Sequence, residues 1–345
     1  MTDLPPIFLK TTNGLHFQRF VHDVLVVNQV TQHYDIKEAR DESQADVIVF
    51  GPYGTDIPQT NQQQISVGYI CENYRWDGPD CDYLFTVSDQ RQPNSQRIQW
   101  HGFDPRELVQ PVDYDLDTII SHKSGFCNFL YSNPVPYREK FFKELSKYKR
   151  IDSPGESMRN MTSIDEDAPP NLSRWEVKRR FLSSYKFTLA LENEIFPGYQ
   201  TEKLYDAMRA DSIPIYLGDP NVSQILNEDS MITWQSEETT WWQEKIRDFS
   251  QTSWAESQGS QRWTFTKKQM RRARILTRDV RHRWLLSNLI RSIVDRIVEL
   301  DRDADKYARV MAEPWLRGNT VIPESYSTAA WNQIFSHALD LSGRT

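Results

Sequence analysis

The stretch "LALENEIFPGYQTEKLYDAMRADSIPIYLGDPNV", residues 189–222, decides the fold. Apolar Leu189–Leu191 runs into Glu192–Asn193, and a short loop carries Pro197, Gly198 and Tyr199. Thr201–Glu202–Lys203 then opens a helical pattern, which gives way to a second apolar run, Ile213–Leu217. Strand, turn, helix and strand joined by short connections describe a parallel α/β unit. Thr201 is the expected N-cap. The free N–H groups of the helix start, with Lys203 in the first turn, favour an anion such as a diphosphate. Glu202 repels phosphate, so its target is a sugar or ribose hydroxyl. Asn193 and Tyr199 add neutral hydrogen bonds, and an arginine from another segment, Arg138 or Arg159, completes the neutralisation. Cations for a diphosphate and acids and amides for hydroxyls together describe a nucleotide-sugar site. Any α/β protein has such turns, so composition alone does not separate this site from an ordinary one. Neither G-x-G-x-x-G nor G-x-x-x-x-G-K-[ST] occurs in the chain, so the dinucleotide and P-loop readings lack their fingerprints.

Outward from this stretch the same alternation continues. "GFCNFLYSN" reads as a strand, "YREKFFKELSKYK" and "VKRRFLSSY" as helices, and residues 152–172 as a polar loop. The first 120 residues carry apolar runs at Val24–Val27, Val47–Phe50, Ile65–Cys71, Tyr83–Val87 and Ile98–Trp100, separated by glycine and proline. Runs such as "ADVIVFG" suit strands buried on both faces. The expected architecture is α/β with two Rossmann-like domains facing a cleft, spanning residues 1–120 and 121–325. A basic helical insertion occupies about 236–300, and a docking helix 326–345 presents Trp331, Ile334, Phe335, Ala338 and Leu339 on one face.

A chain of 345 residues with 38% hydrophobic residues suits a two-domain globular protein. No apolar run approaches a membrane span, and the start MTDLPPIFLKTTNG does not read as a signal peptide. Three scattered cysteines, Cys71, Cys81 and Cys127, read as reduced thiols in a cytoplasmic protein. The net charge of −7 argues against nucleic acid as a partner. Against that acidity, nine Lys and Arg face one acid, Asp279, between Arg262 and Arg283, and six of the 11 tryptophans fall between Trp234 and Trp284. Three roles fit residues 262–300: a helix packed on the catalytic core, contact with an anionic membrane, or a partner helix. The second places the protein peripherally at the inner face of a membrane.

The long motif resembles the donor-binding signature of the family 10 glycosyltransferases, the α-1,3-fucosyltransferases. The matching residues are Tyr185–Lys186–Phe187, Glu192–Asn193, Tyr199–Gln200–Thr201–Glu202–Lys203 and Pro214 to Gly218. "GFCNFLYSNPVPYREKFFKEL" is similar to the family's segment that bears a diphosphate-binding arginine, here Arg138. "YICENY" resembles its Gly-Glu-Asn turn, with Cys71 in place of glycine, and "YARVMAEPWLRGN" resembles the end of its catalytic domain. The resemblance implies a GT-B fold and inverting transfer of L-fucose from GDP-β-L-fucose. It implies a GlcNAc-containing oligosaccharide or glycolipid as acceptor. It further implies Glu72 as the catalytic base and Arg138, Asn193, Tyr199, Glu202 and Lys203 as donor-binding residues, with Asn133, Arg159 and Glu192 as candidates for further donor contacts. Burial at a strand end raises the pKa of a carboxylate, which suits a base. Alternatives are α-1,4 or mixed linkage, or a non-catalytic nucleotide-sugar or glycan-binding protein.

No metal site is expected. Asp113/Asp115/Asp117, Asp165/Asp167 and Asp301/Asp303/Asp305 repeat Asp-x-Asp, but 48 acids produce such matches by chance. No cofactor is required on this reading, and Mn²⁺ or Mg²⁺ is at most stimulatory. His101, after the Ile98–Trp100 run, is a candidate to face the cleft, with a structural role the simpler reading.

Overall fold

The computed structural model describes residues 4–54, 58, 60–72, 81–87, 94–166, 168–195, 197–233 and 290–344. It divides into two compact units: residues 1–109, 197–202 and 320–345, and residues 110–196 and 203–319. The polar connection 110–120 goes with the second unit. Gln110 N donates to Asn319 Oδ1 at 2.8 Å, Asn319 Nδ2 donates back to Gln110 O at 2.9 Å, and Tyr114 Oη donates to Asp211 Oδ1 at 3.1 Å. Segment 197–202 goes with the first unit, where Gln99 Nε2 donates to Gln200 Oε1 at 2.9 Å in a buried contact.

The N-terminal unit holds six strands, β1 (Pro6–Thr12), β2 (Asp35–Glu38), β3 (Val47–Phe50), β4 (Ile65–Ile70), β5 (Tyr83–Thr86) and β6 (Ser95–Arg97). All pair in parallel, in the order β2-β1-β3-β4-β5-β6. Every residue of β3 and β4 is buried, as expected for strands covered on both faces. The chain steps from β1 outward to β2 and then crosses back to β3, so the switch point lies between β1 and β3, where ligands gather in open parallel sheets. Helix α1 (Phe17–Phe20) follows β1 and continues as a π-helical turn, Val21–Val26. The apolar run Val24–Val27 is therefore helical rather than extended, because a run of four apolar residues carries no period. Ile98–Trp100 also lies outside the sheet. Ile98 N donates to Thr86 O at 2.8 Å, and the chain then leaves β6.

The C-terminal unit holds α2 (Leu116–Ser121), β7 (Gly125–Asn128), α3 (Pro136–Leu145), β8 (Ile151–Asp152), α4 (Arg174–Ser183), β9 (Tyr185–Leu191), α5 (Glu202–Arg209) and β10 (Ile213–Leu217), followed by helices α6 (290–302) and α7 (Ala304–Ala312). Its four parallel strands run β10-β9-β7-β8, so its switch point lies between β7 and β9. Local signals set the ends of the helices. Pro136 begins α3, and Ser173 with Glu176 forms a capping box on α4. Ile290, Ile293 and Ile297 of α6 are buried in the core of this unit with Phe187, Leu189 and Ile215. The described end of the expected insertion thus packs on the sheet, and the basic run 262–283 lies outside the described residues.

Helix α8 (Thr328–Ser342) belongs to the N-terminal unit. Its Trp331, Ile334, Phe335, Ala338 and Leu339 are the buried residues that the helical spacing picks out. Trp331 stacks on Phe85 of β5 at 4.5 Å, and Phe20 and Phe335 pack edge-on or tilted against it. Each large apolar side chain buried this way contributes about 1.5–3 kcal/mol. Among the described residues no helix is long and apolar enough to cross a membrane.

Candidate active site

The C-terminal ends of β7, β9 and β10 bring one set of side chains together in the C-terminal unit. Leu191 ends β9 and Glu192 follows, fully buried, with its N–H donating to Leu217 O at 2.8 Å. A buried carboxylate needs a partner, and Lys203 Nζ lies 3.4 Å from Glu192 Oε2. Glycine at 218 is what lets β10 approach so closely. A Cβ there would lie 2.6 Å from Glu192 Cγ and 2.3 Å from Tyr216 Oη. Gly218, the last residue of the motif, is thus explained by packing around Glu192.

Tyr131 and Arg138 fill the crevice between β7 and β9. Tyr131 Oη donates to Leu189 O at 2.6 Å, and Leu191 N donates to Tyr131 Oη at 2.6 Å. Arg138, the second residue after Pro136 in α3, is 1% exposed. Its Nε donates to Glu192 O at 3.3 Å, its Nη2 to Asn193 Oδ1, and its guanidinium lies 4.2 Å from the centre of the Tyr131 ring. Tyr137 Oη donates to the same Glu192 carbonyl. Burial opposes the charge on Arg138, but Tyr131, Tyr137 and Glu192 around it keep the pKa above the usual arginine value. Burial, and then Glu192 and Asp219, push the Tyr216 phenol well above its ordinary range, so it stays protonated, and its Oη accepts from Asp219 N at 2.7 Å.

The residues picked out from the sequence are placed as follows. Glu192, Asn193, Arg138 and Lys203 gather in this one nest. Arg138 lies beneath the turn and shapes it from below, rather than standing at its surface. Asn133 is exposed in the loop before α3. Arg159 is exposed and ion-paired with Glu166 at 2.7 Å and Glu156 at 3.7 Å, so its charge is tied down within its own loop. Tyr199 is 2% exposed and belongs with the N-terminal unit, as does exposed Glu202. Lys186 of the motif lies near the start of β9, at the opposite end of the strand from Glu192. There it donates to Asp301 Oδ1 at 3.1 Å, while Lys149 and Tyr148 hold Asp301 Oδ2. That part of the motif anchors α6 instead of binding a ligand. Tyr131 and Tyr137 were missed in the sequence. The only signals were an aromatic directly after the β7 run and another beside Arg138.

The N-terminal unit presents a different rim. Glu72 follows β4 at its C-terminal end and is exposed, so the expected burial of this acid does not hold. Its Oε1 accepts from Tyr53 Oη at 2.5 Å. The adjacent Cys71 thiol is pushed up to about 11 by burial and then by Glu72. His101 reaches solvent at its edge, yet protein packs closely around the ring. That desolvation lowers its pKa against the opposing fields of Asp23, Glu202 and Glu72. Tyr69 Oη lies 3.2 Å from His101 Nδ1, and burial holds the Tyr69 phenol protonated. A buried hydroxyl proton needs an acceptor, so Tyr69 donates to Nδ1 and the imidazole carries its own proton on Nε2.

Among the described residues no group of three His, Cys, Asp or Glu side chains is arranged to hold a metal. Asp115 caps α2 by accepting from Thr118 N at 3.0 Å, Asp303 caps α7 through Lys306 N, and Asp301 is the ion-pair hub of α6. Asp167 lies outside the described residues.

With this geometry in place, known proteins supply a class. Residues 120–256 match the model of glycosyltransferase family 10 (fucosyltransferase), C-terminal part. That segment contains β7 to β10, and its likeness is to the C-terminal part of a family 10 fucosyltransferase. Individual relatives sharpen the class. The chain is 37% identical over 111 residues to the α-(1,3)-fucosyltransferase FucT of Helicobacter pylori, covering 32% of this chain and 21% of that one. It is 43% identical over 125 residues to α-(1,3)-fucosyltransferase B of Drosophila melanogaster, covering 35% and 24%. Against GDP-fucose protein O-fucosyltransferase 3 of Xenopus laevis it is 34% identical over 94 residues, covering 27% and 20%. The chain thus spans about a fifth to a quarter of the length of these curated relatives. The whole fold matches a crystal structure of an α1,3-fucosyltransferase with GDP-fucose, with a TM-score of 0.62 at 18% identity over 99% of this chain and 92% of that one. The architecture is therefore GT-B.

Proposed function

We propose that the protein is an inverting α-1,3-fucosyltransferase that moves L-fucose from GDP-β-L-fucose to a GlcNAc-containing glycan. The observation that carries this reading is the Glu192–Asn193–Arg138–Lys203 nest at the β7/β9 switch point, inside the segment that matches the family 10 domain. The nest sets two cations, Lys203 and Arg138, around the Glu192 carboxylate. The N-terminus of α5, an eight-residue helix, adds partial positive charge for a diphosphate. In the transfer, Glu72 of the N-terminal unit takes the proton of the acceptor hydroxyl. The acceptor oxygen forms its bond to the fucose anomeric carbon from the face opposite GDP. The anomeric C–O bond breaks, and GDP leaves with the electron pair, its charge balanced by Lys203. One such displacement converts a β-linked donor into an α-fucoside.

The test is incubation with GDP-fucose and N-acetyllactosamine, with the product's linkage and anomeric configuration read by NMR. An α-1,3 fucoside supports the proposal, and a β-fucoside or no GDP release removes it. Likeness to a protein O-fucosyltransferase favours a second reading for the acceptor alone, a protein hydroxyl. Transfer to a folded protein domain with none to N-acetyllactosamine decides for it. We also propose that the reaction needs no metal. Full activity in EDTA is the expected result, and loss restored by Mn²⁺ or Mg²⁺ would overturn it.

A further inference from the structure

At the switch point of the N-terminal sheet, between β1 and β3, the loop after β3 is Gly51–Pro52–Tyr53–Gly54. Two backbone bonds fasten it to the end of β1: Gly51 N donates to Thr12 O and Tyr53 N donates to Asn13 O, both at 3.2 Å. Glycines make the close approach feasible. Gly14 has φ +87°, and a Cβ there would lie 2.7 Å from Tyr53 Cδ2. A Cβ on Gly54 would lie 2.3 Å from Asn13 Cγ. The Tyr53 ring thus has a seat built for it, although the residue is 65% exposed. An exposed tyrosine has no packing reason for such a seat. What the seat achieves is to place Oη 2.5 Å from Glu72 Oε1.

We propose that Tyr53 is a positioning residue for Glu72: its hydroxyl holds Oε1, fixes the carboxylate plane, and leaves Oε2 as the oxygen that accepts the acceptor's proton. An exposed glutamate has several free rotors, and a base works only when its oxygen meets the proton in one geometry. A hydrogen bond from a seated phenol removes that freedom at one oxygen and leaves the lone pairs of the other open. Electrostatics agree with the geometry. Burial and then the bond to Glu72 raise the Tyr53 phenol above its ordinary range, so it remains a donor across the working pH. This inference rests on Glu72 being the base of the proposed transfer.

The experiment is a double-mutant cycle in the full chain with Tyr53→Phe and Glu72→Gln, joined to a titration that does not depend on turnover. Tyr53→Phe should lower kcat by about 10-fold, the scale of one hydrogen bond to a charged group, with KM for GDP-fucose unchanged. In the Glu72→Gln background the same change should cost nothing further. Ultraviolet titration, with Tyr53 isolated as the difference between chains with and without Tyr53→Phe, should show the phenol titrating lower once Glu72 is glutamine. Equal losses in both backgrounds, or a Tyr53 titration indifferent to residue 72, would overturn the inference while leaving Glu72 as base. Wild-type turnover in Glu72→Gln would remove the base itself and the inference with it. A shift in the titration with no effect of Tyr53→Phe on kcat would show the bond to be real but idle, and would also overturn it.

Discussion

Two strand ends carry the proposed chemistry, and they are built in opposite ways. In the C-terminal unit the turn after β9 is packed from beneath: Glu192 is fully buried, Arg138 is 1% exposed, and glycine at 218 lets β10 close in. In the N-terminal unit the acid after β4 stands in solvent, held at one oxygen by a tyrosine. A diphosphate site needs fixed charge and fixed N–H groups, which a packed turn preserves. A base must instead meet a proton arriving from outside, so its free oxygen has to be reachable. Buried pairing suits the first task and exposed pairing the second.

Substitutions at these two ends should therefore fail differently. The largest effect belongs to Glu72→Gln, which keeps size and hydrogen bonding but loses the base. Turnover should fall roughly 10²–10⁴-fold with GDP affinity and melting temperature unchanged, and turnover within threefold of wild type removes Glu72 from the mechanism. Next is Arg138→Ala, which takes the buried guanidinium from the Asn193 amide oxygen and leaves the Glu192 carbonyl with Tyr137 in place of two donors. It should cost about 3 kcal/mol of stability and weaken GDP and guanosine together. If the melting temperature holds and only GDP binding suffers, the guanidinium meets phosphate directly and the packed-turn account is wrong. Lys203→Ala is the contrasting case. GDP binding should weaken by about 1.5–3 kcal/mol while guanosine, which lacks the diphosphate, binds as before. A matching loss for guanosine would show that Lys203 serves the turn and not the ligand.

The smallest effect lies away from both ends and serves as a control. Lys123 donates to Ser183 O at 2.8 Å and Ala210 O at 3.1 Å, and burial lowers its pKa to about 8. Below that value the ammonium is charged in both folded and unfolded chains, and the folded chain bears the full burial penalty. Above it the unfolded chain binds more protons, so stability should rise with pH from about 8 toward the unfolded lysine value near 10.4. Denaturant midpoints at pH 7.5 and 9.5 should show this rise, and Lys123→Met should flatten it. An equal rise in the variant assigns the effect to other groups.

Much of this was legible in the sequence because burial on both faces leaves a simple mark. The runs 47–50, 65–70, 185–191 and 213–217 are strands β3, β4, β9 and β10, and the five apolar positions of α8 are the buried ones. Val24–Val27 misled because an apolar run of four fits a helical turn equally well. At the site, residue types were readable and depth was not. Arg138, Glu192 and Lys203 do meet, but nothing in "PYREKFF" says that its arginine lies beneath the turn. Tyr53 left no trace in the sequence, because its partner lies 19 residues away, beyond the whole of β4.

Helix α8 also fixes an order of events during synthesis. The C-terminal unit takes its last residues from the segment ending at Asn319, α6 and α7 included, whereas the N-terminal sheet waits for Trp331 to cover Phe85 and for Tyr34 Oη to meet Asn332 O and Ser336 Oγ. The half of the protein that leaves the ribosome first is thus the half completed last, and its long-range closure is a slow step. Until then Phe85 of β5 lacks the ring that covers it. Chains truncated after residue 319 should protect β9 and β10 from proteolysis but leave Tyr83–Thr86 open to it. Equal protection of Tyr83–Thr86 with and without α8 would show that the first half closes without waiting for the last.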